Sequence, residues 1–245
     1  MSAPLPKSLR IGVMAESVQL ADIMGIDIIG SFAKPDADFA AVFGDPALAK
    51  LVGKMGEFKD EFRDIEWFFI SSSLEPAKST CGFKWLPNVT YDDCPRDLDI
   101  VLTGGPLPTH RPAGADRFIR EAWPKTRVWL TTCVGSMWVA STGVLDGKKA
   151  TTNQQFLDMA KRDHPKVDWL TQRWVIQEKE YEGEGAGEVW TGAGAASGKF
   201  ERLVHMAAKT LTLCSARYDH RVLHDQVQPR TCQHCFVGQP GSAPG

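Results

Sequence analysis

The chain has 245 residues and a mass of 27.0 kDa, 43% of them hydrophobic and 24% charged, which is enough to bury a substantial core and excludes a disulfide-stapled miniprotein. With 28 Lys and Arg against 30 Asp and Glu, a formal charge of −2 gives no field to hold nucleic acid or an anionic membrane. Every apolar run is interrupted before membrane-spanning length, the first ten residues carry Pro in place of an apolar signal core, and the six cysteines have no regular spacing, so a soluble cytoplasmic protein with reduced thiols is expected.

Residues 9–15 (LRIGVMA) predict a short buried strand. A helix-like segment follows over 18–32, in which Val18, Ile26, Ile29 and Ala33 recur near helical spacing. Residues 45–64, charged, amphipathic and opened by Asp-Pro, read as a second helix or an insertion, and 65–70 (IEWFFI) as a strand. Residues 80–91 predict a hairpin or an excursion of short strands turning at Pro87-Asn88. From Asp97 the pattern sharpens: a strand ends in Gly104-Gly105, a Pro-rich loop leads to a helix over 114–125, and 127–132 (RVWLTT) forms a buried strand. Cys133 follows at once, then helical spacing that runs to Gly143. Short strands at 174–177 and 189–191 flank a Glu/Gly-rich turn, 195–215 predicts a last long helix, and the chain after Gln228 is rich in Pro, Gly and Ser. Alternating strands and helices of this kind build an α/β sandwich with a mainly parallel sheet. One domain over 1–228 and a tail over 229–245 are expected.

The chemistry concentrates on a few residues. Cys133 lies where a buried strand turns into a helix, so the free N–H groups of that helix end would favour a thiolate; Gly135 and Ser136 keep the elbow uncrowded. The same pattern also suits a packed core cysteine. Gly104-Gly105 closes the preceding strand, and the N–H groups of Gly105 and Val134 are the natural donors to an oxyanion beside Cys133. Asp22 breaks the apolar stripe of the first helix-like segment, reading either as an acid and base for Cys133 or as a helix cap. His110, in the loop PLPTHRP, is a candidate to reach the crevice as a proton carrier or to remain an exposed loop residue. His164, His205, His220 and His224 form no usable pattern. Cys232, His234 and Cys235 make only half of a zinc site, so no metal is expected. Cys81, Cys94 and Cys214 read as structural, and Trp85 or Trp138 as a candidate pocket wall.

The segments QLADIMGIDIIGSF, DLDIVLTGG, TTCVGSMWVASTGVLDGKKATTN, PKVDWLTQRWV and TGAGAASGKFERLVHMAA together resemble the DJ/PfpI superfamily, related to class I glutamine amidotransferases. The likeness runs in order from 9 to 213 and is most similar to the isonitrile hydratase branch. It implies a flavodoxin-like three-layer α/β/α sandwich, a homodimer, no cofactor, and a nucleophile-elbow cysteine paired with a carboxylate, at Cys133 and Asp22. Gly105 matches the family's oxyanion glycine, and Val134 supplies the next amide.

The chain departs from the family at three places. Many members carry a His after two threonines, where this chain has Thr151-Thr152-Asn153; Asn153 can hydrogen-bond a substrate but cannot shuttle a proton. Isonitrile hydratases place Thr after the nucleophile, and here it is Val134. The usual Ser-Gly-Ile-Asp is Ser197-Gly198-Lys199-Phe200, while His164-Pro165-Lys166 lacks the carboxylate a glutaminase triad needs. The expectation is a cofactor-free, cysteine-dependent hydratase or lyase acting on a small electrophilic substrate. A glyoxalase or deglycase acting on 2-oxoaldehydes, or a redox-sensing protein using the same cysteine, is the alternative.

Overall fold

The computed structural model describes residues 8–34 and 62–194. The chain opens with β1 (Ser8–Met14) and two short helices, α1 (Leu20–Ile23) and α2 (Gly25–Gly30), followed by β2 (Asp64–Ser71). A small hairpin, β3 (Ala77–Lys78) and β4 (Lys84–Trp85), leads to the edge strand β5 (Val89–Thr90). Then β6 (Ile100–Thr103), α3 (Ala113–Ala122), β7 (Val128–Thr132) and α4 (Gly135–Ala140) alternate. The two-residue β8 (Lys149–Ala150), α5 (Leu157–Asp163), β9 (Asp168–Trp169), β10 (Trp174–Lys179) and β11 (Gly187–Gly192) complete the described chain.

Seven strands form one sheet in the order β10-β11-β7-β6-β1-β2-β5, parallel throughout except between β10 and β11. Because side chains alternate along a strand, a sheet covered on both faces must be apolar at nearly every central position. The central strands meet that demand. Leu9, Ile11 and Val13 of β1, Ile100 and Leu102 of β6, Leu130 of β7 and Trp190 of β11 pack on one face, with Ile23 and Ile29 from α1 and α2. Met14, Val101, Trp129 and Val189 point the other way, onto Phe118 and Ile119 of α3 and Met137 and Trp138 of α4. This is the flavodoxin-like α/β fold that the family resemblance implies.

Two sequence expectations are corrected within it. The hairpin turns through residues 79–83, not at Pro87-Asn88: Ser79 N–H donates to Phe83 O at 2.8 Å. Asn88 instead copies a strand at the sheet edge, its Oδ1 accepting from Phe69 N–H and its Nδ2 donating to Trp67 O, each at 2.7 Å. The first helix-like segment is two short helices broken at Met24, with Val18 outside both and bridged to Pro106. The described end of the segment read as a helix or an insertion over 45–64 is extended, with Arg63 bridged to Ala33 and Asp64 opening β2; the rest of that segment, the helix expected over 195–215 and the tail after Gln228 lie outside the described residues.

At the carboxyl end of α3 a buried cation ties elements together. Lys179 Nζ donates to Trp123 O, at the end of α3, across 2.5 Å and to Glu180 O across 2.9 Å. Burial pulls its ammonium down to about 8. Beside it, Lys148 Nζ and Trp123 Nε1 donate to the Glu180 carboxylate, each at 2.9 Å. The Lys148 hydrogen bond, partly offset by burial, holds that carboxyl at about 2.

Candidate active site

In an open parallel sheet, ligands collect outside the carboxyl ends of strands where the winding reverses. Here β1 lies between β2 and β6, and the chain moves outward from it on both sides. The segments that leave β1, β6 and β7 therefore meet in one crevice, and they carry Asp22, Gly105 and Cys133.

Cys133 leaves β7 with φ +55°, in the left-handed region that costs a residue with a Cβ on the order of 1 kcal/mol or more. Its carbonyl is held by Thr152 Oγ1 at 3.0 Å and Ser136 Oγ at 3.4 Å, which fixes the elbow from two sides. Gly135 is required by close approach: a Cβ there would stand 2.6 Å from Thr103 O and 2.7 Å from Gly104 O. The elbow thus crosses directly over the end of β6. Because α4 has only six residues, the macrodipole expected from sequence shrinks, and any help to the thiolate comes from individual N–H groups of the first turn.

Gly105 is the hinge of the arrangement. A Cβ at this position would lie 2.9 Å from Cys133 Cβ, 2.9 Å from Val134 N and 3.0 Å from Asp22 Oδ2, so the nucleophile candidate and the carboxylate face each other across a bare main chain. Gly105 N–H donates to Asp22 Oδ2 at 3.2 Å. Asp22 is 1% exposed, lies within α1, and has its own carbonyl bonded by Thr132 Oγ1 at 3.0 Å.

Asn153 stands on the other side of the thiol, its Nδ2 donating to Cys133 Sγ at 3.4 Å. Its Oδ1 accepts from Gln155 N–H at 3.0 Å, and this second bond dictates which end of the amide faces sulfur. The main chain leading to it is pinned, with Thr151 N–H donating to Thr191 Oγ1 and Thr151 Oγ1 to Gln172 O, both at 2.8 Å.

His110 engages a different group. Its Nε2 is 3.5 Å from Glu16 Oε2, and its ring meets Trp138 edge-on at 5.8 Å between centroids. Trp138 is buried against it, whereas Trp85 is half-buried beside Phe69 in a wall of the hairpin side. Cys94 is buried, which pushes its thiol up to about 12, and Cys81 is exposed with Ser79 Oγ 3.1 Å from its sulfur. His164 ends α5, its carbonyl accepting from Trp169 Nε1 at 3.0 Å. The remaining histidines and the Cys232–Cys235 motif lie outside the described residues, among which no three His, Cys, Asp or Glu side chains gather as a metal site.

Residues the sequence did not single out complete the surroundings: Thr132 and Thr152 as main-chain anchors, Gly194, whose Cβ would come 3.5 Å from Cys133 Sγ, and Glu16. A Thr flanking the nucleophile is the signal available for Thr132, and its place directly before Asn153 the one for Thr152. Nothing local marks the others.

Comparison with known proteins agrees with this architecture. An isonitrile hydratase from Pseudomonas putida is 29% identical over 99 residues, which cover 39% of this chain and 43% of that protein, so the chain matches less than half of that relative's length. A ThiJ/PfpI family protein from Pseudomonas syringae superposes with a TM-score of 0.59 at 16% identity, covering 94% of this chain and 79% of the other. A putative transcriptional regulator from Vibrio parahaemolyticus gives a TM-score of 0.57 at 17% identity over 84% and 96%, and DJ-1 of Schizosaccharomyces pombe 0.52 at 13% over 89% and 98%. The sequence profile of the DJ-1/PfpI family matches residues 49–191, more than half of the chain, and the chain belongs to that family.

Proposed function

We propose that this protein is a cysteine-dependent hydratase acting on a small electrophilic carbon, in the manner of isonitrile hydration. The observation that carries the reading is the convergence of Cys133 and Asp22 on Gly105, where one added methyl group would touch both. A nucleophile, an acid-base group and a main-chain donor thereby surround a single point.

On an isonitrile, Cys133 sulfur forms a bond to the terminal carbon, and the thiol proton reaches that same carbon by way of Asp22, leaving a thioimidate. Water then adds to the C=N bond: its oxygen bonds to carbon and a proton passes to nitrogen. Breaking the C–S bond releases an N-substituted formamide and returns the thiol through Asp22. Charge that builds on the substrate oxygen is met by the Gly105 and Val134 N–H groups, the former exchanging its Asp22 partner for substrate. Asn153 donates to sulfur throughout and takes no part in proton transfer.

The test is a panel of isonitriles, nitriles, methylglyoxal and glutamine against the native protein, Cys133→Ala and Asp22→Asn. Formamide production lost in Cys133→Ala and cut about 100-fold or more in Asp22→Asn is the expected result. Full activity in Cys133→Ala overturns the mechanism. Turnover of methylglyoxal alone moves the protein to the 2-oxoaldehyde reading, and fast peroxide oxidation of Cys133 with no turnover moves it to a sensor.

A further inference from the structure

Glu16 follows β1 after a single residue and gathers groups from several strand ends. Ser72, just past β2, donates to it through its main-chain N–H at 3.1 Å and its hydroxyl at 2.8 Å to the same oxygen. The Tyr91 hydroxyl, just past β5, is buried without another partner and faces the carboxylate; burial first, then the Glu16 charge, raises the phenol well above its ordinary value. From the loop after β6 comes His110, 3.5 Å away. Tyr91 and His110 both pack edge-on against Trp138 of α4, at 6.5 Å and 5.8 Å between centroids.

The loop that carries His110 is the loop that carries Gly105. Its near end is held by Asp22 through the Gly105 N–H, and at its far end the buried His110 Nε2, without a hydrogen bond of its own, lies 3.5 Å from the Glu16 carboxylate. Both carboxylates belong to the one segment that leaves β1. Between them the loop is stitched by the Val18–Pro106 bridge and by its own turn, His110 N–H to Leu107 O at 2.9 Å.

We propose that Glu16 and His110 are positioning residues for the Cys133 site, their pairing setting where the loop holds the Gly105 amide, so that protonation of His110 is felt at Gly105. The inference rests on Gly105 acting as the oxyanion donor of the proposed reaction. Protonated, His110 is drawn onto the Glu16 carboxylate by charge as well as by its N–H; neutral, it retains at most a hydrogen bond. The other titratable and charged groups nearby are Tyr91, through Glu16; Arg111, which donates to His110 O at 2.7 Å and itself feels Asp116; and His164, past the end of α5, which feels Arg111 and whose imidazole burial pulls down.

The test follows the Gly105 amide and the His110 ring by nitrogen-15 NMR in the native protein across pH 5 to 8.5. The Gly105 resonance is expected to shift with the same midpoint as His110, and that shift is expected to vanish in Glu16→Gln. A Gly105 resonance that stays still while His110 titrates overturns the proposal without any variant. So does a shift retained in Glu16→Gln. In parallel, the pH profile of Cys133 alkylation by iodoacetamide is expected to carry an inflection at the His110 midpoint that His110→Gln removes, whereas a merely structural loss would lower the rate evenly at every pH. If Gly105 follows His110 but has no influence on turnover, the coupling stands and the oxyanion assignment fails, which keeps the two readings separable.

Discussion

Gly105 N–H donates to Asp22 Oδ2 across 3.2 Å, joining residues 83 positions apart. On the proposed mechanism this bond closes the resting site on itself, because the donor proposed for a substrate oxyanion is already engaged by the group proposed to handle its proton. A substrate bound in the proposed way takes the amide from Asp22 and so frees the carboxyl for proton transfer.

Replacing Gly105 tests how tightly that closure is built. Gly105→Ala sets a methyl group 2.9 Å from both Cys133 Cβ and Val134 N, and backbone there cannot yield cheaply. Overpacking of this kind costs about 1–3 kcal/mol. A melting temperature lowered by several degrees is expected, with kcat/KM on the best panel substrate reduced about 100-fold, since the displaced amide no longer meets the oxyanion. Thermal unfolding and steady-state kinetics read the two effects, and unchanged values in both would mean the contacts relax freely.

Asn153 governs the thiol from the opposite side. In Asn153→Asp a carboxylate replaces the Nδ2 donor 3.4 Å from sulfur and opposes the thiolate. A thiol shifted upward by about one pH unit reacts about tenfold more slowly at neutral pH. Asn153→Ala, which removes the donor without adding charge, is expected to slow alkylation less. Iodoacetamide rates against pH, followed by intact mass, separate the two.

The Glu180 carboxyl makes acid stability measurable. Its folded value, about 2, lies below the ordinary 4.5 chiefly because Lys148 donates to it. Between those values the unfolded chain binds the extra proton, so the stabilisation is complete above about 4.5 and is lost as pH falls toward 2. The site is largely exposed, so the effect is modest. Chemical denaturation from pH 6 to 2.5 is expected to show a shallower acid slope in Glu180→Gln than in the native protein.

Among the described cysteines, modification should follow environment. Cys94, with its thiol near 12, is expected to resist iodoacetamide at pH 8 in the folded protein, whereas exposed Cys81, lowered by the Ser79 hydrogen bond, labels readily. Peptide mapping before and after denaturation checks the order, and early labelling of Cys94 would contradict its burial.

The strands that carry the site were legible because a sheet buried on both faces writes nearly continuous apolar runs, as in residues 11–15 and 128–130. Cys133 was legible for the same reason, as the first residue past such a strand. The hairpin was misplaced because its strands are two residues long and carry no period, while Pro87-Asn88, an ordinary turn signal, is used at the sheet edge, where the Asn88 amide pairs with β2. Glu16 was invisible for another cause. Its partner His110 is brought to it only when β1 and β6 pair side by side, and no local pattern encodes that meeting.

The two threonines before Asn153 leave one side chain as a replaceable insert. Thr151 is tied to Thr191 and Gln172, and Thr152 to the Cys133 carbonyl, so the main chain leading into 153 is fixed by bonds that ignore what residue 153 is, and the cap on Gln155 N–H is the local bond that its side chain supplies. A single codon can then exchange the thiol's neighbour for an imidazole, an amide or a carboxylate while the scaffold stays put. Diversification of chemistry at this position needs no rebuilding of the fold, and the path between one reaction and another can be one mutation long.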